Sequence, residues 1–364
     1  MFGDLWCDNT AKNKKTILAD FDQRATQPVS KRIGQAKAIM RIEKFTDMVL
    51  ASNKPAFKFS RKYPDQFKET FIGKRLKEVL PLVKQFDTYH TYTSSPAVFF
   101  RAYWLVNSIY GFRLAKPMHR NVRPDVHRAE VMNLMIEQMR LEADQLWYQR
   151  FAYDRRYETK EKTDSLVEYT KAILLHRSKT LVVRVDFSYE GKASAPVTIE
   201  RVLCDLHDLL GERGQHKLFE HLVGYGWAVE QSEKKGYHIH AVFFFNGSEV
   251  RQDVTLGFAI GNLWKNEITR GRGSFHNCNA KKEKYERCGI GMIHRNNEQE
   301  CANCVEFVQY LAKGGPFIDR DNQFVRIRPW GGHTRMFDMG QAPTLAEVRR
   351  GRPASEAPWL APAV

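Results

Sequence analysis

Past residue 166 the chain changes texture, and that change limits the folds open to it more than any other feature. T-L-V-V-R-V-D-F-S at 180–188 is rich in β-branched residues, and a second short run of the same kind lies at 225–230. G-Y-H-I-H-A-V-F-F-F at 236–245 is the strongest strand signal in the chain, and the polar turn 231–235 joins it to the run before it as a hairpin. Helical patterns occupy 197–223, 252–268 and 298–313, with a short strand at 289–294, and Gly314-Gly315-Pro316 stops the last helix. The order strand, helix, hairpin, helix, strand, helix predicts an α+β fold in which helices cover an antiparallel sheet.

Before 166 the patterns are helical. Apolar residues recur among charges at helix-like intervals over 31–50 and 69–86, and 96–112 reads as a buried helix. Pro124-Asp125 then opens a long helix in which Met132, Met135, Ile136, Met139, Ala143, Leu146 and Trp147 share one stripe, the pattern of a core face. The chain therefore divides into a polar segment (1–28), a mostly helical basic region (29–165), a sheet-containing domain (166–342) and a flexible Pro/Ala-rich tail (343–364).

Charge is uneven across these parts. Residues 1–150 carry 26 lysines and arginines against 15 acidic residues, and 151–364 carry 31 against 27. A net charge of +15 with both signs interspersed predicts a polyanionic partner rather than a basic tail, and gives the helical region to DNA binding. The sequence has no signal-like apolar run and no stretch long enough to span a bilayer, so no membrane partner and a cytoplasmic location are expected. Six cysteines, four of them within 278–304, do not form a secreted disulfide framework, and reduced thiols are expected.

The chemistry gathers in the sheet-containing part. Strand alternation puts His238 and His240 on one face of 236–245, where two imidazoles can reach one metal ion. Glu230, at the end of the preceding strand, is brought beside them by the hairpin; Asp186, on the first strand, is the other candidate for the third ligand or for orienting a histidine. Downstream, Tyr310 and Lys313 stand three apart on one helix face. A tyrosine hydroxyl attacks poorly near neutral pH, so a metal on a phosphate and a nearby lysine are what such a nucleophile needs. Glu306, one turn before Tyr310, is either a general base for water or a solvated helix charge. Between these motifs lie Lys265, Arg270, Arg272, Lys281, Lys282, Lys284 and Arg287, interleaved with Gly271, Gly273, Phe275 and Tyr285, a composition suited to a single-stranded nucleic acid. Cys301-x-x-Cys304 has zinc-pair spacing, but Cys278 and Cys288 are ten apart and do not supply the second pair.

H-I-H at 238–240 followed by Y-L-A-K at 310–313 resembles the HUH endonucleases. With V-R-V-D-F-S-Y at 183–189, T-R-G-R-G at 269–273 and F-H-N-C-N at 275–279, the stretch 181–340 resembles more closely the filamentous-phage replication initiators, the YagK/YfjJ C-terminal domain family. The resemblance implies a ferredoxin-like or RRM-like core. It further implies a rolling-circle initiator that nicks and joins DNA at an origin in a bacterial host cell. Tyr310 would take the 5′ phosphate, and His238, His240 and an acidic residue would bind Mg²⁺ or Mn²⁺. The implied partner is single-stranded or melted origin DNA, with a host helicase or other replication proteins as candidate further partners. A prophage-derived DNA-binding regulator is the alternative from another class; relaxases and single-strand transposases share the chemistry, but relaxases usually carry the tyrosine before the histidine motif.

Overall fold

A computed structural model describes residues 34–63, 66–86, 88, 90–110, 121–123, 126–189, 197–232, 235–312, 325, 327–329 and 335–343. The segment 1–28, all of the tail but residue 343, and Lys313 lie outside the described residues.

The elements run α1 (Gln35–Leu50), β1 (Phe57–Phe59), β2 (Phe67–Glu69), α2 (Phe71–Val79), β3 (His90–Tyr92), α3 (Ser94–Tyr110), β4 (Asn121–Arg123), β5 (Val126–His127), α4 (Arg128–Ala143) and α5 (Leu146–His176). They continue with β6 (Lys179–Tyr189), α6 (Ile199–Gly211), β7 (Leu222–Ser232), β8 (Gly236–Asn246), α7 (Asp253–Asn262), β9 (Gly273–Asn277), β10 (Gly291–His294), α8 (Glu298–Ala312), β11 (Ile327–Pro329) and β12 (Phe337–Met339). The fold is α+β, with the long strands in one antiparallel sheet.

That sheet has the order β10-β6-β8-β7-β12, and β9 shares the outer edge of β6 with β10. β10 pairs with residues 179–182 of β6 and β9 with 185–189. The Asn279 side chain bridges the gap: its Oδ1 accepts from Arg184 N at 2.9 Å and its Nδ2 donates to Val182 O at 2.9 Å. An edge that would otherwise leave buried backbone groups unpaired is thereby satisfied.

Because side chains alternate along a strand, each long strand divides its residues between two cores. Val183, Val185, Phe187, Ile239, Phe243 and Phe245 point to one face and join the buried side chains of α1, α3 and α4 in a single cluster. Burial of each large side chain there contributes about 1.5–3 kcal/mol. Polar contacts fix how α1 sits: Gln35 Oε1 accepts from Ile199 N and Tyr237 Oη, both at 3.0 Å, and Gln231 Nε2 donates to Ala36 O at 2.8 Å. On the other face Val182, Val242 and Phe244 meet Leu166, Tyr169 and Ile173 of α5 and Cys304, Val308 and Leu311 of α8.

Several elements differ from the sequence expectation. The stripe drawn through 132–147 is broken: α4 ends at Ala143, Gln145 adopts extended backbone as the cap of α5, and Leu146 is 67% exposed. No glycine or proline marks this break, so a 3.6-residue period runs through it unnoticed. The 165/166 boundary falls inside the 31-residue α5, whose buried residues face the sheet. The 197–223 pattern yields only α6 and two short 3₁₀ turns, and 252–268 continues from α7 into the π-helical turn Leu263–Ile268. β9 was not expected.

Candidate metal centre and tyrosine helix

Strand register assembles the site. Glu230 on β7 is directly opposite His238 on β8, and Asp186 on β6 is directly opposite His240. Gly236 opens β8 at φ +71°, a backbone region that favours glycine, and so closes the hairpin that sets this register.

Glu230, His238 and His240 are all buried, and one ligand atom from each lies within 4.8 Å of the others. Both imidazole Nε2 atoms approach the same carboxylate oxygen: Glu230 Oε2 is 3.4 Å from His238 and 3.2 Å from His240. His240 Nε2 nonetheless has no hydrogen-bond partner of acceptable geometry. Two imidazole nitrogens and a carboxylate oxygen converging on one buried point are what a cation between them requires. Two imidazoles and a carboxylate therefore fit a divalent metal ion.

The remaining ring nitrogens are held by other groups. His238 Nδ1 is 3.2 Å from Gly236 O, and His240 Nδ1 is 2.7 Å from Asp186 Oδ1. Each Nδ1 therefore carries the proton and donates it, which leaves Nε2 as the free ligand atom. The Arg184 Nη2 atom, 3.2 Å from the same Nδ1, is then a close approach and not a hydrogen bond. Of the two acidic candidates, Glu230 stands with the ligand atoms and Asp186 behind His240 as its orienting partner.

Arg184 ties this arrangement to α8. Its Nε donates to Asp186 Oδ1 at 2.9 Å, and its guanidinium centre lies 5.1 Å from the ring centroids of both Phe307 and Tyr310. The Tyr310 ring also meets the His240 ring edge to face, centroids 5.9 Å apart. Burial would raise the Asp186 carboxyl, but the charges and hydrogen bonds of Arg184 and His240 together outweigh it and hold Asp186 well below the usual carboxylate range. Burial would likewise lower His240, yet the Asp186 hydrogen bond and the adjacent Glu230 carboxylate raise its proton affinity above an ordinary histidine. Arg184 stays charged: burial would lower its proton affinity, but the groups around it, Asp186 foremost, more than offset that.

The other expected residues divide into two groups. Glu306 and Arg287 form an ion pair at 2.9 Å, 40% and 68% exposed, so Glu306 is a paired surface charge. Arg272 Nη2 reaches the buried Asp205 at 3.3 Å and Lys282 Nζ reaches Asp253 at 2.7 Å, so both cations are committed to structural ion pairs. Lys265 is half-buried, its carbonyl accepting from Gly271 N at 2.6 Å, while Arg270 is exposed at φ +51° at the tip of this turn. Lys281 and Lys284 are exposed. The cysteines make no ligand set: among the described residues the only group of three or more suited to a metal is Glu230, His238 and His240. Burial pushes the Cys278 and Cys301 thiols up to about 11, so they remain protonated.

One residue that the sequence did not place at the site joins it. His276 on β9 is opposite Asp186 and therefore on the metal face. Partial burial lowers its proton affinity; Asp186 opposes this, and the charges of Lys284, Lys235 and Lys281 add to the lowering. Nothing local in F-H-N-C-N announces His276, because its neighbours are set by the long-range pairing of β9 with β6.

Residues 143–316 match the YagK/YfjJ C-terminal domain family, a span that contains Asp186, Glu230, His238, His240 and Tyr310. No curated protein and no solved structure matches the chain.

Proposed function

We propose that this chain is a metal-dependent DNA nicking and joining enzyme of the HUH kind, acting in rolling-circle replication with Tyr310 as nucleophile. The observation that carries the reading is the packing of the Tyr310 ring on His240, one of three buried side chains whose ligand atoms converge. The α+β sheet with its covering helices is read accordingly as a HUH core.

His238, His240 and Glu230 would hold the ion. A divalent cation bound there supplies Lewis acidity toward a phosphate oxygen. The imidazole pair favours a borderline ion such as Mn²⁺ over Mg²⁺, which prefers all-oxygen shells. Asp186 keeps the His240 proton on Nδ1, and Arg184 holds Asp186 in place while packing against the Tyr310 ring. In the reaction the Tyr310 oxygen forms a bond to phosphorus as the bond to the 3′ oxygen breaks. The tyrosine proton passes to solvent, the leaving oxygen takes one up, and a 5′ phosphotyrosine and a free 3′ hydroxyl result. Joining is the reverse. Glu306, paired with Arg287 at the surface, takes no step here.

The test uses 3′-labelled single-stranded oligonucleotides of randomised sequence with Mn²⁺. A covalent protein–DNA adduct is expected from the parent chain and none from Tyr310→Phe. An adduct that survives the substitution overturns the nucleophile, and tight binding without cleavage in any divalent metal favours a DNA-binding regulator.

A further inference from the structure

Among the described residues, the metal face of the sheet is covered at one end and open at the other. Toward β7 it is closed by α5: a Cβ on Gly226 would meet Leu166 Cδ1 at 3.4 Å, and one on Gly224 would run into Ile173 and Tyr169. Below the tripod, α8 lies over Arg184, Val242 and Phe244. On the β9 side the face carries small polar groups. Register puts Ser274 opposite Ser188 and His276 opposite Asp186, so these side chains continue the two rows that hold His238 and His240. Ser188 Oγ and Ser274 Oγ are 2.8 Å apart, Ser188 and Ser274 are half-buried, and His276 is exposed. Two hydroxyls sharing one hydrogen bond keep further donor and acceptor capacity.

The surroundings of this shelf are cationic. Lys281 and Lys284 follow β9 directly, Lys235 stands at the tip of the β7–β8 hairpin, and His276 feels all three charges. Among the described residues, and unlike Arg272 and Lys282, these lysines form no ion pair with a buried carboxylate. A polar floor with a rim of exposed ammonium groups suits a flexible polyanion whose phosphates replace released counterions.

We propose that this shelf, floored by Ser188, Ser274 and His276 and rimmed by Lys235, Lys281 and Lys284, seats the backbone of single-stranded DNA as it leaves the metal over β9. The assignment rests on the reading of the tripod as a nicking centre, and it adds the direction of the strand: over β9 and not over β12.

The test separates the two. In a Tyr310→Phe background, p-benzoylphenylalanine is installed in place of His276 or, in a second protein, in place of Phe337 on β12, which register sets opposite Ala228 on the metal face, and each is irradiated with labelled single-stranded oligonucleotide and Mg²⁺. Cross-linking through position 276 and not through 337 is expected. Cross-linking through 337 alone, or through neither, overturns the path. In the same background, Lys281→Ala with Lys284→Ala should weaken oligonucleotide binding and reduce the slope of log K against log salt by about 1.4, since each lost single-strand phosphate contact removes about 0.7. An unchanged slope counts against the shelf. The tyrosyl adduct is scored separately in the parent chain: its presence with no cross-link at 276 sinks the shelf alone, whereas its absence with a cross-link at 276 sinks the nicking reading and leaves a DNA-binding surface.

Discussion

The two faces of β8 are made from alternate residues of one ten-residue run, yet they do opposite things. Ile239, Ala241, Phe243 and Phe245 enter a cluster that runs without interruption into the N-terminal helices. His238 and His240 stand between them on the other face, buried beside Glu230 and Asp186 under the edge of α8. The apolar face supplies stability, and the Tyr237 hydroxyl on it is hydrogen-bonded to Gln35 of α1. The polar face keeps buried titratable groups that cost free energy unless paired, and each has a geometric reason to be there. Strand period, therefore, lets one element serve as both scaffold and site without compromise between neighbours.

The comparison breaks if the faces cannot be separated by mutation. Phe243→Ala should destabilise the protein by about 3–5 kcal/mol through cavity formation, read by urea unfolding, while the folded fraction keeps its Mn²⁺ affinity. Arg184→Met is the exception that sharpens it. This substitution on the polar face leaves Asp186 without its buried partner and should cost about 3–5 kcal/mol; a loss as small as a surface ion pair would show that the Arg184–Asp186 pair holds nothing together.

Smaller effects follow on the polar face alone. Asp186→Asn should weaken Mn²⁺ binding by the folded protein about 10–100-fold, as removal of an orienting partner does, and should also lower the unfolding midpoint, because it leaves the buried Arg184 charge without its partner; calorimetric titration measures the first and thermal unfolding the second. The pH dependence has a fixed sign. Proton and metal compete for His240, and its proton affinity is raised, so Mn²⁺ affinity should fall as pH drops through a value above the ordinary histidine 6.5. In Asp186→Asn that fall should move to lower pH. The smallest effect is expected from Glu306→Gln: an exposed, paired charge whose removal should leave both melting temperature and adduct yield unchanged. A loss of adduct turnover in that variant would restore Glu306 to the chemistry.

Much of this was legible because it is local. The hairpin from Glu230 to His240 follows from alternation plus a polar turn, and the α8 face carrying Tyr310 follows from helical spacing. What depended on register was not. Asp186 remained undecided between ligand and orienting group, because only the pairing of β6 with β8 sets it against His240. His276 was invisible for the same reason, since β9 is five residues long and takes its place from β6. The basic segment was overread: counting cations does not reveal that Arg272 and Lys282 are held by Asp205 and Asp253, carboxylates distant in sequence. The break between α4 and α5 lacked any glycine or proline to mark it.

Anomalous diffraction from a crystal of the chain soaked in Mn²⁺ tests the central claim most directly. One ion within coordination distance of His238 Nε2, His240 Nε2 and a Glu230 oxygen, with Asp186 still on His240 Nδ1 and the Tyr310 ring still against His240, is the predicted result. An ion bound by Asp186 in place of Glu230, or no ion on this face at saturating Mn²⁺, would contradict the account.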